Sequence, residues 1–122
     1  MAEHNEFGNS GEKKAVEYLR EKGYVILHQN WRSGHKEIDI VAQQDACLVV
    51  VEVKTRKSSA YGRPSEAVTA SKIRRIVMAA EAYVQLYRID LPIRYDIISV
   101  IDSGEQTHIE HIKDAFRSPV WY

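Results

Sequence analysis

Apolar residues recur along the chain with two different periods. Between Ser10 and Gly23, the residues Ala15, Val16 and Leu19 fall at helical spacing. A first helix is expected there, with Ser10 as its N-cap and Gly23 as its stop. Tyr24 to Trp31 (YVILHQNW) is instead rich in β-branched and aromatic residues, and Arg32-Ser33-Gly34-His35 follows it as a turn. That run predicts a strand, and Glu37 to Ala42 and Cys47 to Thr55 predict two more. Only Gln43-Gln44-Asp45-Ala46 separates the last two, so they are expected to form an antiparallel hairpin rather than a crossover.

Lys57 to Pro64 (KSSAYGRP) has the composition of a loop. After it Ile73, Ile76, Val77, Ala80, Tyr83, Val84 and Tyr87 lie three and four apart, which predicts a helix with one buried face, broken if anywhere near Thr69 to Ser71. Ile93 to Ile101 (IRYDIISVI) and Thr107 to Ile112 (THIEHI) predict two strands around an Asp102-Ser103-Gly104-Glu105 turn, and Ala115-Phe116 starts a terminal helical turn. The order helix, three strands, helix, two strands predicts an α/β layer structure, a central sheet covered by helices. With 122 residues, 44% of them hydrophobic, the chain can fill one ordinary core. A single domain over residues 1–122 is expected, with residues 1–9 as a flexible N-terminus.

Seventeen basic residues balance seventeen acidic ones, so net charge indicates no polyanionic partner. Its distribution says more. From Lys54 to Arg75, Lys54, Arg56, Lys57, Arg63, Lys72, Arg74 and Arg75 stand against the single acid Glu66. Such a stripe can track a phosphate backbone, although it also describes a solvated loop and helix face. The lone Cys47 excludes an internal disulfide and a cysteine-based zinc site, and fits a reducing compartment. The polar start MAEHNEFGNSGEKK lacks the order of a secretion signal, and no window approaches a transmembrane helix. A cytoplasmic protein without a membrane partner is expected.

Charges inside the strand segments change the picture. Side chains alternate along a strand, so Glu37 and Asp39 share a face, and Glu52 and Lys54 share one opposite Val49, Val51 and Val53. The apolar run before Glu52 is typical of a strand buried on both faces, where a glutamate and a lysine are poorly tolerated without purpose. If Ala42 opposes Cys47, then Glu37 faces Glu52 and Asp39 faces Val50. Asp39 and Glu52 become diagonal neighbours about 7–8 Å apart at the backbone. A one-residue slip would send them to opposite layers. Two carboxylates in a partly dry site repel unless a cation neutralises them, and magnesium, which bridges carboxylates to substrate phosphates, suits that role. Lys54 beside it can help deprotonate the attacking water and offset charge in the transition state. The plainer alternative is an ordinary Glu52–Lys54 ion pair on a solvent-facing strand, with Glu37 and Asp39 on the polar side of an edge hairpin.

The arrangement D-(x12)-E-x-K formed by Asp39, Glu52 and Lys54 resembles the PD-(D/E)xK nuclease superfamily. More closely, GEKKAVEYLREKGYVIL, NWRSGHKEIDIVA, VEVKTR, YGRPSEAV, SKIRRI, RYDIISV and HIKDAF resemble in order the YraN family of bacterial proteins, related in fold to archaeal Holliday junction resolvases. The likeness runs from about Gly11 to Phe116. It implies a restriction-endonuclease-like three-layer α/β/α fold with a central mixed five-stranded sheet. It implies catalytic roles for Glu12, Asp39, Glu52 and Lys54, with Mg²⁺ or Mn²⁺ held by Glu12, Asp39, Glu52 and Val53. Glu37 matches the glutamate of the family's G-G-E-I-D pattern, which reads G-H-K-E-I-D here, one residue longer, and Ile38 stands where the superfamily motif has proline. Glu12 also has a plain reading, since an acid suits the first turn of a helix.

Arg56, Lys57, Arg63, Lys72 and Arg75 are candidate phosphate contacts, and Tyr61 is a candidate either to stack on an unpaired base or to pack on its own loop. His108 and His111, three apart in a strand, point to opposite faces and make no paired metal site. Asp96 beside Arg94 is expected to form a structural ion pair. The functional expectation is a Mg²⁺-dependent endonuclease acting on DNA, at branched structures among others, with a homodimer as an allowed state. The alternative is a non-catalytic nucleic-acid-binding accessory protein on a nuclease scaffold.

Overall fold

In the computed structural model of the chain, residues 2–57 and 68–118 are described, residues 2–9 by their backbone alone. The elements follow the expected order: α1 (Ala2–Glu21), β1 (Val25–Ser33), β2 (Lys36–Gln44), β3 (Cys47–Arg56), α2 (Ala70–Leu86), β4 (Ile93–Asp102) and β5 (Thr107–Phe116). The five strands form one mixed sheet in chain order. Only β3 and β4 run parallel, joined by the stretch that carries α2, and the other neighbours are antiparallel. Among the described residues, no helix is long and apolar enough to cross a membrane.

Each sheet face is covered by one helix because each strand offers alternate apolar side chains to both sides. Ala15, Val16 and Leu19 of α1 pack on Ala42, Val49, Val51, Ile98 and Val100. Ile76, Val77, Ala80 and Tyr83 of α2 pack on Trp31, Val41, Leu48, Val50 and Tyr95. The result is three layers with β3 at the centre. Leu48, Val49, Val50 and Val51 are all buried, as a strand covered on both sides requires.

Four sequence expectations change. Helix α1 begins at Ala2, so Ser10 lies within it and does not cap it. Ala115 and Phe116 extend β5 and do not begin a helical turn. The buried Asp96 carboxylate accepts the Asp114 N–H, and the Phe116 ring stacks on Tyr95, which keeps the chain beside β4. On α2, Tyr87 is the C-cap and exposed rather than a core residue, although its hydroxyl accepts a hydrogen bond from Trp31 Nε1.

The fourth change concerns register. Gln43 and Gln44 belong to β2, and Gln44 opposes Cys47 across a two-residue Asp45-Ala46 turn in which Asp45 is left-handed. The pairing is displaced by two residues from the expected one, an even shift that preserves which face each side chain takes. It ends at Ile40–Val51. One step further along, Asp39 comes level with Glu52.

Candidate metal-binding and catalytic site

Where the β2–β3 ladder stops, the alternation of β2 is broken. Ile38 and Val41 pack in the layer under α2, whereas Ile40 and Ala42 pack under α1. Asp39 sits at the break, and its Oδ2 accepts the Val53 N–H at 2.8 Å. A side-chain oxygen thus takes a main-chain donor of β3 and fixes the carboxylate beside Glu52. Both residues line a cleft of about 470 Å³ between the β2–β3 hairpin and the start of α2. Glu37 lies on its wall, and Lys36, Lys72 and Arg75 supply positive charge to the same space.

Helix α1 contributes from the other side of β3. A Cβ built on Gly11 would collide with the Thr55 side chain, so only glycine lets the helix lie this close to the end of the strand. Glu12, the next residue, is half-buried and hydrogen-bonded to the Asn30 side chain. Asn30 itself is left-handed within β1, a conformation asparagine tolerates better than most residues.

These carboxyl groups feel one another. Burial first, then the Glu52 charge, pushes the Asp39 carboxyl up to about 7 despite the Val53 hydrogen bond, with Glu12 and Glu37 adding to the rise. Glu12 is raised by burial and by Glu37 and Glu52, against the lowering effect of Asn30. A cation among them would relieve the repulsion. Two lysines already approach Glu52 Oε1, Lys72 Nζ at 2.9 Å and Lys54 Nζ at 3.5 Å. Burial and the neighbouring Lys72 lower the Lys54 pKa. Lys72 moves the other way, because hydrogen bonds to Lys54 and Glu52 and the nearby carboxylates outweigh its burial.

Among the described residues, no group of three or more His, Cys, Asp or Glu side chains could hold a metal ion by itself. The carboxylate oxygens on the central hairpin that could serve an ion are those of Asp39 and Glu52, which line one cleft. Two hard oxygen ligands suit a magnesium ion that keeps several waters and also binds a substrate phosphate.

The structure thus brings Asp39, Glu52, Lys54 and Lys72 together, with Glu37 and Arg75 on the same cleft and Glu12 in electrostatic reach. Arg56 turns inward, its Nε donating to the buried Ser99 of β4, and Lys57 is exposed at the end of β3. Tyr61 and Arg63 lie outside the described residues. Asp96 forms the expected ion pair with Arg94, Nη2 to Oδ2 at 2.8 Å, and also holds His111 Nε2 at 2.7 Å. His108 is exposed near Glu110. Sequence reasoning missed the roles of Gly11, of Asn30 and of Lys72 as a partner of Glu52. Only Lys72 left a local trace: a lysine in the first turn of a helix, where the dipole favours an acid.

Fold and cleft together define a three-layer α/β/α protein with a carboxylate-and-lysine site on its central hairpin. Residues 11–100 match the profile of the family described as "Uncharacterised protein family UPF0102". A UPF0102 protein of Bacteroides thetaiotaomicron is 54% identical over 121 residues, covering 99% of this chain and all of the relative. A UPF0102 protein of Phocaeicola vulgatus is 51% identical over the same length and coverage, and one of Porphyromonas gingivalis is 50% identical over 118 residues, or 95% of this chain and 87% of the relative. The chain belongs to the UPF0102 family.

Proposed function

We propose that this protein is a divalent-cation-dependent endonuclease of the PD-(D/E)xK superfamily, of the YraN type and akin in fold to the archaeal junction resolvases, acting on DNA. The observation that carries the reading is the Asp39 carboxyl, pushed up to about 7 by burial and by the neighbouring Glu52 charge, in a cleft also faced by amines. Asp39, Glu52 and the Val53 carbonyl would hold the ion, and Glu12 would add negative charge behind them. When bound, the ion supplies Lewis acidity toward a phosphate oxygen and lowers the pKa of water. Lys54, whose pKa burial and the neighbouring Lys72 lower, is suited to take part in proton transfer from the attacking water. Lys36 and Arg75 on the cleft wall would hold the phosphodiester by charge, which positions the backbone without reading sequence.

A second reading has one observation in its favour: Glu52 is already engaged by two ammonium groups, and no three-ligand cluster is present among the described residues. A nucleic-acid-binding accessory protein that cleaves nothing would look like this. Labelled duplex, single-stranded and four-way-junction DNA, incubated with the purified protein and Mg²⁺ or Mn²⁺, separates the two. Cleavage by the parent but not by Glu52→Ala or Lys54→Ala is expected, and binding without cleavage in every metal condition would favour the accessory role. Arg75→Ala should weaken DNA association and reduce its log–log salt slope by about one, while ion binding measured by calorimetry stays unchanged.

A further inference from the structure

Lys72 is placed against the preference of its own helix. Thr69 caps α2 by accepting the Lys72 N–H at 3.2 Å, which puts Lys72 in the first turn, and that turn carries no acid. The exposed N–H groups there form the positive end of the helix, where a cation is disfavoured. What offsets this is Glu52, whose Oε1 lies 2.9 Å from Lys72 Nζ, closer than Lys54 of the same strand. The Glu52 side chain is only 13% exposed, so leaving its charge without a partner would be costly. Arg75, one turn along on the same side of α2, lines the same cleft without being an ion-pair partner of Glu52.

We propose that Lys72 and the divalent cation compete for the same Glu52 oxygen, so that ion binding moves the Lys72 ammonium off the carboxylate and toward Arg75, where both face the substrate phosphate. The inference rests on the cation-dependent reading above and adds a coupling: ion and phosphate bind cooperatively because one releases the side chain that the other needs. Lys72 is accordingly a positioning residue for ion and phosphate. Lys54, tied to β3 by its own backbone, stays beside Glu52 throughout.

Two measurements test this without requiring cleavage. Mn²⁺ titration, read by calorimetry or by loss of the free-ion paramagnetic signal, is compared among the parent, Lys72→Met and Lys54→Met. Removing the competitor should tighten Mn²⁺ binding about tenfold in Lys72→Met, the effect of deleting one like charge at a partly screened contact, and should do so more than in Lys54→Met. Acylation of lysines followed by peptide mapping should show Lys72 becoming more reactive when Mn²⁺ is added. If the parent binds Mn²⁺ but Lys72→Met binds no more tightly, or Lys72 labelling does not rise, the competition is refuted and the nuclease reading stands. If neither protein binds Mn²⁺, the cation-dependent reading falls and takes the competition with it.

Discussion

Asp39→Asn removes one charge from the cleft while keeping an oxygen that can accept the Val53 N–H, so it isolates the electrostatic cost of the site from its geometry. The Asp39 carboxyl stands at about 7 against an ordinary 3.8, raised by burial and then by Glu52. The folded state therefore holds this proton more tightly than the unfolded chain. Stability from this group is fully present below its unfolded pKa, declines as pH rises between the two values, and is lost above the folded one. At ~1.4 kcal/mol per unit the cost is on the order of 4 kcal/mol, and sharing with Glu52 brings the expected effect of the substitution to about 2–4 kcal/mol. For a domain of this size that is a melting-temperature difference of about 10 °C. The assay is thermal or urea unfolding of parent and variant from pH 4 to pH 8 with a chelator present. The two should be equally stable near pH 4, and Asp39→Asn should be clearly the more stable at pH 8. A parent whose stability is flat or rising from pH 5 to pH 8, or a variant no more stable than the parent at pH 8, would refute the argument that burial and carboxylate repulsion meet at Asp39.

Gly11→Ala should destabilise the fold by about 1–3 kcal/mol through overpacking against Thr55, even though alanine is the better helix former. The loss should shrink in the Gly11→Ala/Thr55→Gly double variant, as a denaturation double-mutant cycle would show. Asp96→Ala leaves Arg94, His111 and the Asp114 N–H without their shared acceptor at the β4–β5 junction, and should cost about 3–5 kcal/mol in urea unfolding.

The elements were legible in the sequence because their signals are local. The valine run of β3 and the three-four spacing of α2 say what they are within a dozen residues. Register was not, because it depends on where the hairpin turns. Gln43 and Gln44 look like loop residues, yet they pair with Leu48 and Cys47 and leave the turn to Asp45 and Ala46, a sequence without the usual glycine. The face shared by Asp39 and Glu52 survived that error because the displacement was even. The end of β5 was hidden for another reason: Asp96, eighteen positions before Asp114 in the chain, draws the Asp114 N–H to it. Asp39, Glu52 and Lys54 stood out as charges within an apolar run. The Lys72–Glu52 contact joins residues on different elements, and only the oddity of its helix position hinted at it.

Because the sheet is laid out in the order of synthesis, its two outer rims are the first and last strands, and the carboxylates of the cleft ride on the middle one and its immediate neighbour. Opening that begins at either rim has to pass through β2 or β4 before it reaches β3. Amide hydrogens of Val49 to Val51 should accordingly be among the slowest in the molecule to exchange with deuterium, which sets Glu52 at the end of the segment that breathes least.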